Sequence, residues 1–493
     1  MQDSQSKPVE GAPVVAIGRN AWMAADADRM AVLVDGQAYF RALADVLSRS
    51  QRSIWIVGWD FNPDIRLTPD IEGAPTLGAF LRNLVDRTPD LEIRILVWAM
   101  GPIYSGKSLK LFRKKGWVDH PRIHLHFDLN HPLRGSHHQK LVAIDETVAF
   151  LGGIDLTARR WDDNRHLAVN PLRVSPDGKP YEPVHDMQVA VGGAAARMIA
   201  DLARRRWKRA TGRVVDPRPG SGPLWPEGVT ADIAGARVAL ARTEPWTFGR
   251  RAKQESLKLT VDMIRAARRH IYIEAQYFAA FGLAELIRAR LAEPDGPEIV
   301  VVVTRISHGF LEKVMLGENR DRLIRYLKRH DPHDRLWVMY AVVPDPTAPA
   351  GTQDVLVHSK LLMVDDRLLR IGSSNLNNRS EGLDTEADLA VEAATLHDRQ
   401  AIAALRHRLI AEHLDATPDA VAKIMEETGS LMETIRRLNF KPRGLRHFAI
   451  DVEKGAVEPV PGTAIVDPRE PLAPFLRLRR GAGSVGAWLA ALL

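Results

Sequence analysis

One eight-residue pattern occurs twice in this chain and limits its fold more than any other feature. His138-Gln139-Lys140-Leu141-Val142-Ala143-Ile144-Asp145 and His358-Ser359-Lys360-Leu361-Leu362-Met363-Val364-Asp365 both read H-x-K-x-x-x-x-D, 220 residues apart. Each continues through a short turn, Glu146-Thr147 or Asp366-Arg367. A second apolar segment then leads to a small-residue corner, Val148 to Gly153 and Leu368 to Ser373. Apolar runs bounded by turn formers predict a strand, a tight turn and a second strand. The separation is too long for a solenoid repeat, so the pattern predicts two homologous domains.

Along a strand, residues i and i+2 share a face. His138 therefore projects with Lys140, and His358 with Lys360. Asp145 and Asp365 have the opposite parity and stand where the turn begins, so they are expected to hold the turn or an ion pair. An imidazole beside an ammonium suits an anion, as a nucleophile or proton carrier next to fixed positive charge. Two such pairs facing each other would form a phosphate site.

The flanking elements repeat as well. In the first unit, a helix over Gln37 to Ser50 precedes a strand at Ser53 to Gly58. A helix at Thr76 to Arg87, a buried strand at Glu92 to Trp98 and a basic helix at Lys107 to Lys115 follow. After the motif come a strand at Met187 to Val191 and a basic helix at Ala194 to Arg209. The second unit runs in the same order: helix 254–269, strand 270–274, helix 283–291, strand 298–304, basic helix 320–329, strand 336–343, motif, strand 388–392, helix 396–414. Alternating helices and near-continuous Val/Ile strands indicate α/β layers with mixed sheets.

The predicted organisation is an N-terminal arm (1–27), a first α/β domain (28–214), a Pro/Gly-rich linker (215–234), a second α/β domain (235–415) and a C-terminal tail (416–493). The two domains are expected to pack face to face as a pseudo-twofold pair. Within the tail, Ala420 to Leu438 reads as helical and Val452 to Pro474 as a surface segment.

Composition narrows the class. Of 493 residues, 45% are apolar, enough for a real core. The 68 basic and 61 acidic residues leave +7, which fits an anionic substrate or a membrane surface without demanding nucleic acid. There is no Cys, which removes disulfides and thiolate metal sites. The first residues lack a secretory pattern, and no run of 18 apolar residues could form a spanning helix. The expectation is a cytoplasmic protein, peripheral at the inner face of the membrane.

The twin motif resembles the phospholipase D superfamily, in which two H-x-K-x4-D motifs meet at one active site. Gly372-Ser373-Ser374-Asn375 is similar to the family's G-S-x-N, and Gly152-Gly153-Ile154-Asp155 to the G-G-x-D form of the phospholipases D. Ile271 to Phe278 resembles I-Y-I-E-N-Q-x-F, with Ala275 where Asn is usual. The likeness runs from about Asp28 to Asp415 and implies a bacterial-type phospholipase D and transphosphatidylase.

Each motif His needs a carboxylate to fix its tautomer. The duplication aligns His185 to Val191 with Thr385 to Val391, which puts Asp186 and Glu386 at matching positions. Asp162 and Asp163 rival Asp186 by spacing. The resemblance assigns His138 as nucleophile and His358 as general acid and base. Lys140, Lys360 and Asn375 would stabilise the phosphoryl oxygens. Asp155, Ser373 and Gln276 are expected to face the substrate. Arg204 to Arg209 is either a phosphate grip or a solvated face.

The substrate is expected to be a phospholipid, with no metal, no cofactor and no nucleic-acid partner. Three alternatives share the fold or the motif: a cardiolipin-synthase-type phosphatidyltransferase, a nuclease, and a non-catalytic lipid-binding scaffold. Finally, Arg477, Arg479 and Arg480 precede a short apolar end that could lie in a membrane interface.

Overall fold

The computed structural model describes residues 12–101, 116–247, 250–305 and 317–470. The basic helix expected at Lys107 to Lys115 and the basic, apolar C-terminal end lie outside them.

The first unit runs β1 (Met23–Val34), α1 (Asp35–Ser48), β2 (Ser53–Gly58), α2 (Leu77–Arg87), β3 (Glu92–Trp98), β4 (Ile123–Asp128), β5 (Leu141–Ile144), β6 (Val148–Gly152), β7 (Val184–His185), β8 (Met187–Gly192) and α3 (Gly193–Thr211). The second runs β9 (Ile233–Glu244), β10 (Lys253–Gln254), α4 (Glu255–Ala266), β11 (His270–Ala275), α5 (Phe281–Ala292), β12 (Glu298–Val303), α6 (Glu318–Arg329), β13 (Leu336–Pro344), β14 (Thr352–Asp354), β15 (Leu356–Val357), β16 (Lys360–Val364), β17 (Leu368–Gly372), α7 (Asn378–Gly382), β18 (Glu386–Glu392) and α8 (Leu396–His413). Among the described residues, no helix is long and apolar enough to cross a membrane.

The strand order repeats. In the first unit β2, β3 and β4 are parallel neighbours, and β2 also pairs antiparallel with β5, which leads on to β6 and β8. In the second, β11, β12 and β13 are parallel, and β11 pairs antiparallel with β16, then β17 and β18. The two halves meet edge to edge. Strand β1 pairs with β8 at one end and with β9 at the other, and β9 pairs with β18. One mixed sheet therefore runs through both units of the expected α/β pair. Joining the edges satisfies rows of N–H and C=O groups that would otherwise lie open.

Alternation along the strands sorts residues to the two faces of this sheet. Ile54 and Ile56 pack with Leu43 of α1 and Leu81 of α2. Ile271 and Ile273 pack with Met263 of α4 and Ile287 of α5. On the other face, Trp55, Val57 and Tyr272 enter a single core shared by both halves, with Ile199 of α3 and Leu409 of α8.

Parts of the expected arm and tail are docked. Strand β1 begins inside the expected arm, and the N–H groups of Val14 and Val15 donate to the Glu392 carboxylate. The expected helix over Ala420 to Leu438 is two helices, α9 (Pro418–Thr428) and α10 (Leu431–Leu438). Gly429, at φ 65°, ends the first, and Ser430 caps the second. Strand β19 (Gly444–His447) then pairs with β13. The run at Arg204 to Arg209 is only in part a solvated face, with Arg205 and Lys208 exposed. Arg206 is buried against Asp128 at 2.9 Å, Arg204 pairs with Glu146, and Arg209 meets Glu244 at 2.9 Å.

Candidate active site

The two motifs are brought together by short stretches of backbone that cross between the halves. Strand β7 runs parallel to β15, pairing Val184 with Leu356 and His185 with Val357. A matching bridge joins His137 to Thr385. The His358 N–H donates to the His185 carbonyl at 2.7 Å, and the His138 N–H to the Thr385 carbonyl at 2.9 Å. The residue after each of those carbonyls is one of the expected carboxylates.

The consequence is an exchange of partners. Asp186, from the first unit, lies 2.6 Å from Nδ1 of His358 in the second. Glu386, from the second unit, lies 3.0 Å from Nδ1 of His138 in the first. The two expected acids are both at the imidazoles, each serving the motif of the other half. Asp162 binds His166 and Arg173, and Asp163 binds Arg165, so neither rival reaches a motif His. With Nδ1 engaged in each ring, Nε2 is the atom left for chemistry.

Both acids are locked from behind. The Ser373 hydroxyl donates to Glu386 Oε2 at 2.5 Å and the Ser380 hydroxyl to Oε1 at 2.7 Å. Met187 N–H donates to Asp186 at 2.8 Å. Gly153 must be glycine because a Cβ there would collide with the Asp186 carboxylate. Its counterpart in the second unit is Ser373, beside the longer Glu386. The small-residue corner of each motif is thus the floor beneath an acid.

The ammonium groups differ. Lys140 is buried and paired with Asp155 at 2.9 Å. Among the described residues Lys360 has no such partner: it donates to Gln276 Oε1 at 3.3 Å and to the His358 carbonyl, and lies 3.2 Å from Nδ1 of His358. Because Asp186 is the closer neighbour of that ring nitrogen, the Nδ1 proton belongs with the carboxylate. Burial, with Lys140 and Arg160 nearby, brings the Lys360 ammonium down to about 7 against the pull of Asp186. Burial and the two lysines hold His138 well below its ordinary value, and burial, Lys360 and Arg160 do the same for His358. Burial raises Asp186, and it raises Glu386 to about 8. Each His–carboxylate pair therefore holds one proton between two buried atoms.

The remaining expected residues fall in different places. Asp155 and Ser373 were expected to face the substrate. Both are buried with their polar atoms occupied, Asp155 by Lys140 and the Trp59 N–H, and Ser373 by Glu386 and by His138 at its carbonyl. Gln276 donates to the Tyr277 hydroxyl at 2.9 Å and accepts from Lys360. Asn375 is buried, with no hydrogen-bond partner for its carboxamide oxygen. Asp145 and Asp365 sit at the turns, where their carboxylates accept backbone N–H groups, those of Gln51, Arg52 and Ser53 for Asp145 and of Arg268, Arg269 and His270 for Asp365.

Arg160 was missed. Its charge acts on Asp186, His358 and Lys360, and its buried Nε has no partner. It lines an open cleft of about 950 Å³ with Trp59, Tyr181, Val184 and Leu356, the last two each two residues from Asp186 and His358. The available signal was the Arg159-Arg160 pair four residues past Asp155 in the first motif's corner.

Comparison with known proteins agrees with this geometry. A family model described as cardiolipin synthase, PLD-like domain, matches residues 260–402. The chain is 25% identical over 423 residues to phospholipase D A of Dictyostelium discoideum, covering 72% of this chain and 32% of that protein. It is 23% identical over 464 residues to phospholipase D2 of Bos taurus, covering 73% and 48%. The matched region therefore spans from a third to a half of those relatives' own length. Among solved structures, phosphatidylserine synthase of Haemophilus influenzae Rd KW20 superposes with a TM-score of 0.54 at 12% identity, over 85% of this chain and 97% of that one, a likeness of fold. The duplicated motif, the repeated strand order and these matches together support the phospholipase D superfamily for this chain.

Proposed function

We propose that this protein is a phospholipid phosphodiesterase and phosphatidyltransferase that works through a phosphohistidine. One observation carries the reading: two imidazoles, each tied through Nδ1 to a buried acid from the opposite half, share a site with two buried ammonium groups.

Nε2 of His138 attacks phosphorus, and the P–O bond to the head group breaks. His358 gives its Nε2 proton to the departing alkoxide. The diester's negative charge, arriving beside His358, favours the protonated ring that this step needs. His358 then takes a proton from water or an acceptor alcohol, whose oxygen attacks phosphorus and breaks the P–N bond. The products are phosphatidic acid with water, or a new phosphatidyl-alcohol with an alcohol. Lys140, Lys360, Asn375 and Arg160 face the charge that builds on the non-bridging oxygens. Asp145 and Asp365 act only by holding the hairpins.

A phosphatidyltransferase of the cardiolipin-synthase kind is the second reading, favoured by the description of the matching family model. It uses the same residues and differs in the acceptor.

The test uses purified protein with defined phospholipids in mixed micelles, with and without ethanol, and plasmid DNA in the same buffer. Phosphatidic acid and free head group are expected, with phosphatidylethanol when ethanol is present. His138→Ala and His358→Ala should each lower turnover by several orders of magnitude while keeping the circular dichroism spectrum. DNA cleavage without lipid products, or near-normal turnover in a folded variant, would refute the proposal.

A further inference from the structure

Next to His358, whose backbone N–H donates to the His185 carbonyl, lies a second set of buried titratable residues that the chemistry above does not use. Asp35 at the start of α1, His166 in the loop before β7, His185 in β7 and Glu412 near the end of α8 turn toward one point. Nε2 of His166 is 3.4 Å from Asp35 Oδ2 and 3.2 Å from Glu412 Oε1. Nδ1 of His185 is 3.2 Å from Asp35 Oδ1 and 3.0 Å from the same Glu412 oxygen. Asp35, His166 and His185 are at most 1% exposed and Glu412 is 10% exposed.

These contacts are close, yet most are not hydrogen bonds. Among the described residues, neither oxygen of Asp35 has a hydrogen-bond partner, nor does Nδ1 of His185. Of the four contacts, only His166 to Glu412 has that alignment. Buried polar atoms left unpartnered at such distances are costly. Atoms that converge on a common point, without aiming at one another, are what a bound cation requires.

The outer contacts point the same way. The free ring nitrogen of each imidazole meets a further buried carboxylate: His166 Nδ1 meets Asp162 at 3.0 Å and His185 Nε2 meets Glu274 at 2.9 Å. Carboxylates behind histidines fix the tautomer that presents a lone pair to a metal. Those carboxylates are anchored in turn, Asp162 by Arg173 and Glu274 by Tyr272, Ser359 and His413.

We propose that Asp35, His166, His185 and Glu412 bind one divalent transition-metal ion, with Zn²⁺ the best match to four N and O ligands. Tetrahedral bonds of about 2.0–2.2 Å set ligand atoms about 3.3–3.6 Å apart, close to the separations here. Two neutral imidazoles and two carboxylates also balance the ion's charge. Three ligands come from the first unit and one from the second, so the ion ties the halves together next to Asp186 and His358. It takes no part in the phosphoryl steps. Without a metal, two protons, one on each imidazole, would have to balance the same carboxylates, and experiment separates the two cases.

Untagged full-length protein from zinc-supplemented cells would be dialysed exhaustively and its metal measured by mass spectrometry. About one zinc per chain is expected. Protein from cobalt-supplemented cells should show the strong visible bands of four-coordinate Co²⁺, a readout that needs no variant. His166→Gln and Glu412→Gln should each lose the metal and the cobalt bands while keeping the far-ultraviolet circular dichroism. Should the first not fold, the second, at the more exposed ligand, carries the test. Metal-free wild-type protein whose melting temperature does not change with added zinc would overturn the proposal and leave the protonated network. Bound metal that persists in both variants would overturn the ligand assignment.

Discussion

Lys360 is an ammonium placed where water cannot reach it and where, among the described residues, no carboxylate is paired with it, unlike Lys140 with Asp155. Its value of about 7 means that the free enzyme carries this charge below neutrality and loses it above. A phosphodiester anion binds the charged form, so kcat/KM should fall as pH rises through about 7, with a weaker effect on kcat because bound substrate holds the proton. Lys360→Arg keeps its charge at any working pH. It should be slower overall but should lack this alkaline limb. An unchanged limb in the Arg variant would assign the titration elsewhere. Residue types were legible at this scale, since His, Lys and the acids stand out in a duplicated pattern. What they touch was not. Asp155 and Ser373 read as substrate contacts because they flank the motif, but burial turns their polar atoms toward Lys140 and Glu386.

The hairpins β5–β6 and β16–β17 show how a duplicated element diverges in strength. In both, the two central turn residues are left-handed without being glycine: Asp145 and Glu146 at φ 51° and 57°, Asp365 and Asp366 at 53° and 52°. Such turns favour Gly or Asn, so the side chains must offset the strain. The Asp carboxylates do so by accepting backbone N–H groups at the start of the neighbouring strand. The first hairpin is buried, and Gly220 of the linker packs directly on Asp145 and donates its N–H to that residue's carbonyl at 2.9 Å. The second lies nearer solvent, where water can replace the lost acceptor. Asp145→Ala should therefore cost about 3 kcal/mol in urea unfolding and Asp365→Ala about 1 kcal/mol. Equal losses would show that burial does not set the difference. Elements were the most legible level, because near-continuous Val/Ile runs such as Glu298–Val303 are buried strands in fact. Boundaries failed where one residue decides, as at Gly429, and where a segment's partner is remote, as with β1 and the expected arm.

For the whole molecule, the exchange of acids between halves is the finding that the order of residues could not supply. The alignment of the two halves gave Asp186 and Glu386 matching positions but not the imidazole each serves, and strand β7 and the Thr385 bridge carry each acid to the motif of the other half. The exchange can be tested with a leaving group that needs no proton. On a p-nitrophenyl phosphodiester, Asp186→Asn and His358→Ala should both still release about one equivalent of nitrophenolate in a burst and then stall, since only the second step needs the base. Glu386→Gln should slow the burst itself, in line with His138→Ala. A burst lost in Asp186→Asn but kept in Glu386→Gln would restore the uncrossed pairing. The buried set around His185 escaped the sequence reading for the same reason: its members stand far apart in the chain, from Asp35 to Glu412.

The unbroken sheet has a further consequence. Enzymes made of two lobes commonly admit substrate by bending at a hinge and then closing over it. Here the lobes share a hydrogen-bonded seam, with strand β1 paired to both β8 and β9, so opening the halves would mean tearing a ladder of backbone bonds. On the proposed function, the distance between the two imidazoles is therefore set before substrate arrives, and the site would work as a rigid vise whose jaws are already placed. On that reading, a phosphate would reach the imidazoles by threading into the cleft beside Arg160, and selectivity for one head group over another would fall to the loops that rim that opening.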